Sequence, residues 1–209
     1  MRRNLVTIPV VLASSSPRRK ALLNLLGIEP EIAPPNIEEI RRPGEAPKAY
    51  VERLAREKAA TVKRDGVVVV AADTTVALDD HILEKPRDEA EAAAMLRRLQ
   101  SRDHVVHTAI AVAFGGNLVS GVESTRVWLL PLDERTIRDY IATGESMDKA
   151  GAYGIQGYGS AMVEKIEGDY FTVMGLGLSR LVRLMTLAGL VYHFGRLTRA
   201  APSGAPSPR

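Results

Sequence analysis

The chain has 209 residues, 45% hydrophobic and 25% charged, enough for a full core and suited to one globular domain. With no cysteine, disulfides, thiolate chemistry and cysteine-rich zinc modules are excluded, and the four histidines (His81, His104, His107, His193) lack ligand-like spacing. A net charge of +3 admits nucleic acid, but aromatics are only 5% and the basic residues are scattered, so a compact anion is the better-suited partner.

In chain order, strand and helix signals alternate. Arg2 and Arg3 precede a short apolar run that ends in serines, not at a cleavage site, and no apolar run is long enough to span a bilayer. A cytoplasmic protein without membrane contact is expected. Ile8 to Ala13 reads as a strand, and Pro17 to Leu26 as a helix that Gly27 ends. Residues Pro30 to Pro47 hold five prolines and read as loop or irregular strand. Lys48 to Arg64 is a strong helix with Val51, Leu54, Ala55, Ala59 and Val62 on one face. Val67 to Ala72 is a continuous apolar run of the kind buried on both faces, ending at Asp73. Asp88 to Leu99 is a second helix. Val105 to Phe114 and Leu118 to Leu130 form a hairpin pattern across Gly115-Gly116-Asn117. Asp133 to Thr143 is a short helix, Gly151 to Gly159 a glycine-rich loop, and Leu176 to Leu190 a closing helix. The sum is an α/β protein with a mixed, twisted sheet flanked by helices. Residues 1–198 are expected to form the single domain. Residues 199–209, rich in Pro, Ser, Gly and Ala, are expected to be a disordered tail.

Four features carry chemistry. Ser14-Ser15-Ser16-Pro17-Arg18-Arg19 joins a strand end to a helix start, where hydroxyls, free N–H groups and guanidinium groups gather around an anion. The same residues also suit a plain helix cap, since Ser16 caps well and Pro17 fits the first turn. Asp73, at the carboxyl end of a buried strand, is suited to bind metal or activate water, or simply to cap a turn. Glu38 and Glu39 offer further carboxylates for a hard cation, or are solvated loop charges. Lys58 falls on the apolar stripe of its helix, seven residues after Val51 and four after Leu54, as a snorkelling lysine or a cation aimed into a phosphate pocket. Lys85 follows a short strand and is placed to converge on the same site. Gln156, among alternating glycines, has the donor and acceptor that match the N3–H and O4 edge of uracil or thymine, although such a loop also suits a flexible hairpin.

These residues, in this order, resemble the Maf family of nucleoside triphosphate pyrophosphatases. The matching stretches are Leu12 to Arg19, Arg53 to Ala59, Ala72-Asp73-Thr74, Glu84-Lys85-Pro86-Arg87 and Asp148 to Gly157, so the resemblance spans about Leu12 to Leu184. It implies a mixed α/β fold with a deep nucleotide cleft, a homodimer, a cytoplasmic location and a divalent cation, Mg²⁺ or Mn²⁺. It also implies hydrolysis of a nucleoside triphosphate to monophosphate and pyrophosphate. Arg18, Thr74 and Gln156 match the members that prefer dTTP and UTP; those preferring 7-methyl-GTP carry Trp, Gln and Glu there. By the same resemblance Ser14, Arg18, Arg19, Lys58, Thr74, Lys85 and Gln156 bind substrate. Asp73 is catalytic, and Glu39 with Asp73 holds the metal. Gly177 departs from the family's proline, with a looser turn expected away from the site. Two other readings remain: a nucleotide-binding regulator of septum formation without turnover, and a house-cleaning enzyme for inosine- or xanthosine-type triphosphates.

Overall fold

A computed structural model describes residues 7–79 and 81–201. The Arg2-Arg3 stretch and most of the expected tail, 202–209, lie outside the described residues. Strand β1 (Val10–Leu12) leads into helix α1 (Pro17–Leu25), followed by the short strand β2 (Glu31–Ile32) and helix α2 (Pro47–Thr61). Strands β3 (Val68–Leu78) and β4 (His81–Leu83) come next, then helix α3 (Glu89–Leu99). The long hairpin β5 (Asp103–Phe114) and β6 (Asn117–Leu129) turns at Gly115-Gly116, whose φ values of +55° and +92° are those a two-residue turn with matching twist requires. Helix α4 (Glu134–Ala142), strand β7 (Val163–Glu167), helices α5 (Tyr170–Met174) and α6 (Leu178–Leu187), and strands β8 (Leu190–Tyr192) and β9 (Leu197–Arg199) complete the described chain.

The main sheet has seven strands in the order β2-β1-β3-β5-β6-β7, with β4 also on β3. The β1 pairings with β2 and β3 are parallel and the remainder antiparallel, so the sheet is mixed. Strand parity assigns the faces. Val69 and Ala71 of β3 and Ala109, Ala111 and Ala113 of β5 lie under Val51, Leu54 and Ala55 of α2. Val68, Val70 and Ala72 face Leu22 and Leu23 of α1 and Leu181 and Met185 of α6. Small alanines let α2 sit close, and truncating fully buried Leu54 to Ala would cost about 2–5 kcal/mol. A further cluster joins Val76 and Leu78 to α3 and α4 through Leu96 and Ile137. No helix among the described residues is long and apolar enough to cross a membrane.

Four expectations change. Asp73 does not end its strand: β3 continues five residues further, to Leu78, because β5 stays paired with it through Ala77. The glycine-rich segment is not open loop, since it holds short 3-10 turns at Ala150–Ala152 and Gly157–Met162. The closing helix is shorter than Leu176 to Leu190: α6 spans Leu178–Leu187, the separate helix α5 ends before Gly175-Leu176-Gly177, and the expected last residue, Leu190, begins β8. Arg199 and Ala200, placed in the expected tail, join the fold instead: Arg199 pairs with Leu190 and the Ala200 N–H donates to the Gly189 carbonyl at 2.8 Å.

Candidate active site

The site follows from a gap in the sheet. On one edge of β3, β1 pairs with Val68 to Val70 and β4 with Val76 to Leu78. Between them Ala71 to Thr75 have no strand neighbour on that edge, although β5 covers the other. A cavity of about 580 Å³ opens there, a volume suited to a small organic ligand. Lining it are the nine residues singled out from sequence: Ser14, Arg18 and Arg19 from the β1–α1 turn, Glu39 from the proline-rich loop, Lys58 from α2, Asp73 and Thr74 from β3, Lys85 after β4, and Gln156. Glu38 is exposed and does not line it.

Parity separates the two β3 side chains. Asp73 shares the face of Val69 and Ala71, towards α2, and there Lys58 Nζ donates to its Oδ1 at 2.6 Å. The same ammonium lies 2.9 Å from Glu39 Oε1. Lys58 and Asp73 are each only 6% exposed, so this is a buried ion pair joined to a more open carboxylate. Burial pushes the Asp73 carboxyl above its ordinary range, against the pull of Lys58 and Arg19. Thr74 points to the other face, where its hydroxyl accepts from Arg19 Nη2 at 3.2 Å and lies 2.9 Å from the Thr108 hydroxyl.

The two arginines have different duties. Arg19 donates to the Gly175 carbonyl at 3.0 Å and to Ser14 Oγ at 3.2 Å, as well as to Thr74, so it ties the turn to the break between α5 and α6. Burial lowers its pKa, partly offset by Asp73. Arg18 reaches across the cavity mouth to Asp148 Oδ2 at 2.8 Å. Asp148 also receives Lys149 Nζ at 2.6 Å; burial would raise its carboxyl, but these two cations hold it below the ordinary range. Ser16 is the helix cap, accepting weakly from the Arg19 N–H at 3.5 Å. Ser14 has a separate role, accepting from Ser16 N–H at 3.1 Å, so the cap accounts for only part of the cluster.

Several contributing residues escaped the sequence reading. The Tyr50 hydroxyl donates to the Glu39 carbonyl at 2.9 Å and also lies 3.3 Å from Glu84 Oε1, clamping the loop that carries Glu39 to the segment that carries Lys85. Its signal was a phenol on the buried stripe of α2, where a hydroxyl needs a partner. Asp148 gave no local signal. Gly177 does not line the cavity, and its φ of −65° is one that proline also adopts.

Cationic side chains, hydroxyls and a helix N-terminus ring one wall of the cavity, and a carboxylate–ammonium pair sits at its floor. On an α/β fold, that arrangement has the chemistry suited to a polyanion. The chain belongs to the family described as Maf-like protein, whose model matches residues 9–188. It is 46% identical over 184 residues to the dTTP/UTP pyrophosphatase of Koribacter versatilis, covering 87% of this chain and 95% of the relative. The dTTP/UTP pyrophosphatase of Thermus thermophilus is 46% identical over 181 residues, with 87% and 95% covered. That of Desulfotalea psychrophila is 48% identical over 178 residues, with 83% and 91% covered.

Proposed function

We propose that this protein hydrolyses dTTP and UTP to the nucleoside monophosphate and pyrophosphate. The observation that carries the reading is the Lys58 ammonium held between Asp73 and Glu39, at 2.6 and 2.9 Å, in a cavity that also presents Arg18, Lys85 and Gln156. The cavity is then the nucleotide cleft, with the triphosphate along the Ser14 to Arg19 turn and the base at Gln156. Water attacks the α-phosphorus and gives its proton to Asp73. The bond from the α-phosphorus to the oxygen bridging to the β-phosphorus breaks, and pyrophosphate leaves with that oxygen. Burial makes Asp73 a stronger base than a solvated aspartate. Lys58, Lys85 and Arg18 neutralise charge that develops on the phosphates.

The donor set fits a hard divalent cation. Asp73 and Glu39 provide oxygen ligands, and no group of three or more His, Asp or Glu forms a ready cage among the described residues. Mg²⁺ characteristically takes one or two carboxylates and completes its shell with phosphate oxygens and water. When bound, such an ion supplies charge neutralisation and lowers the pKa of water. We further read the protein as a cytoplasmic homodimer with one catalytic domain.

Pyrophosphate release from dTTP, UTP and 7-methyl-GTP tests the activity, with Asp73→Asn as control. Release from the pyrimidine triphosphates, lost in the variant, is expected. No release above the variant sinks the enzyme reading, and binding without turnover would favour the regulator instead.

A further inference from the structure

We infer that Glu145, with Tyr140, is the positioning residue for nucleobase selection: it holds the loop that presents Gln156. The inference rests on the proposed pyrimidine triphosphate hydrolysis, in which Gln156 meets the base. Glu145 lies just past α4 and is half-buried. Its Oε1 accepts from the Gly159 N–H and the Tyr140 hydroxyl, both at 3.0 Å, and its Oε2 from the Tyr158 N–H at 2.9 Å. The Tyr140 oxygen in turn accepts from the Gly154 N–H at 3.0 Å. Two side chains at the end of one helix therefore fix the backbone on both sides of Gln156, whose own amide is exposed and makes no hydrogen bond among the described residues.

The glycines fit this role. Gly157 has φ +72°, and a Cβ there would overlap Glu145 Oε2. A Cβ on Gly159 would come within 2.9 Å of the Tyr140 hydroxyl. The loop's composition thus allows its backbone to close around a carboxylate, and charge-assisted bonds to backbone N–H groups are among the stronger ones available. The Glu145 carboxylate and the Tyr140 hydroxyl bond to each other and to the Gly154, Tyr158 and Gly159 N–H groups. Neither touches the triphosphate wall formed by Ser14, Arg18, Lys58 and Asp73, so their loss is read at the base and not at the phosphates.

The test is steady-state kinetics of wild type, Glu145→Ala and Glu145→Gln with dTTP and with a purine triphosphate, ATP, together with inhibition by inorganic tripolyphosphate. For Glu145→Ala, KM for dTTP rises and the dTTP-over-ATP preference falls by about tenfold, the scale of one lost hydrogen bond to the base, while kcat and the tripolyphosphate inhibition constant hold. Glu145→Gln keeps one acceptor oxygen and recovers an intermediate preference. In a Gln156→Ala background, Glu145→Ala causes no further loss of preference. A merely structural role would lower turnover of both nucleotides together and leave their ratio intact. An active wild type with an unchanged ratio in Glu145→Ala overturns this inference alone. A wild type that releases pyrophosphate from neither nucleotide overturns the proposed activity, and this inference with it.

Discussion

Replacing Lys58 by Met removes the charge at the cavity floor while retaining most of the side-chain volume. Asp73, 6% exposed, then loses the ammonium 2.6 Å from its Oδ1. Breaking a buried pair from one side costs about 3–5 kcal/mol. An upper bound follows independently, because the stranded carboxyl can escape by taking a proton. At pH 7 that escape lies about three pH units above the ordinary aspartate value, each worth about 1.4 kcal/mol, so the electrostatic loss stops near 4 kcal/mol. At pH 5 the same bound is about 1.5 kcal/mol. The sign follows from proton counting. A carboxyl whose folded pKa is raised binds more protons folded than unfolded, so stability is present at low pH and is lost as pH rises above about 4 towards the folded value. Lys58→Met should therefore be far less stable than wild type at pH 7 and nearer to it at pH 5. Adding Asp73→Asn should restore much of the pH 7 loss while turnover stays absent. Urea denaturation of wild type, Lys58→Met, Asp73→Asn and the double variant at both pH values measures this. An equal deficit for Lys58→Met at pH 5 and pH 7 would refute the reasoning, because the lost stability would then not be linked to Asp73.

Other consequences are as direct. His104, 2% exposed with Nε2 2.7 Å from the Tyr153 hydroxyl, is pushed by burial down to about 4; the unfolded chain then binds the extra proton between about 6.5 and 4, and stability is lost as pH falls through that window. Titrating urea stability of wild type against His104→Gln should show the slope weaken in the variant. Gly157→Ala meets both a φ of +72° and an overlap with Glu145, so a loss of about 1–3 kcal/mol is expected in thermal unfolding, with weaker dTTP binding by calorimetry. Chelation of divalent cations should abolish pyrophosphate release. Glu39→Gln should raise the Mg²⁺ concentration needed to restore it, whereas equal Mg²⁺ dependence would remove Glu39 from the metal site.

Much of the site was legible because local periodicity exposes misfits. Lys58 on the apolar stripe of α2 and Gln156 among glycines both break a pattern that packing alone would keep. The helices α1 to α4 were legible from spacing and caps, with Asp88 and Asp133 each accepting from the N–H three residues on. Short strands were not: β2, β8 and β9 hold two or three residues each, too few to show alternation. Asp148 was missed for another reason. Its partner Arg18 stands 130 residues away, and no window of sequence contains both ends.

The sequence alone determined which faces exist. The stripe of α2, the continuous apolar run into β3 and the serine–proline–arginine turn follow from side-chain period and cap chemistry. Tertiary structure alone decided where those faces meet and where the sheet leaves a gap. Asp73 became a cavity residue because β1 stops pairing at Val70 and β4 resumes at Val76, an outcome of strand lengths and long-range register. Parity then turned Asp73 to Lys58 and Thr74 to Arg19. Adjacent residues on one strand thereby serve opposite walls, because a β-strand sends successive side chains to opposite faces.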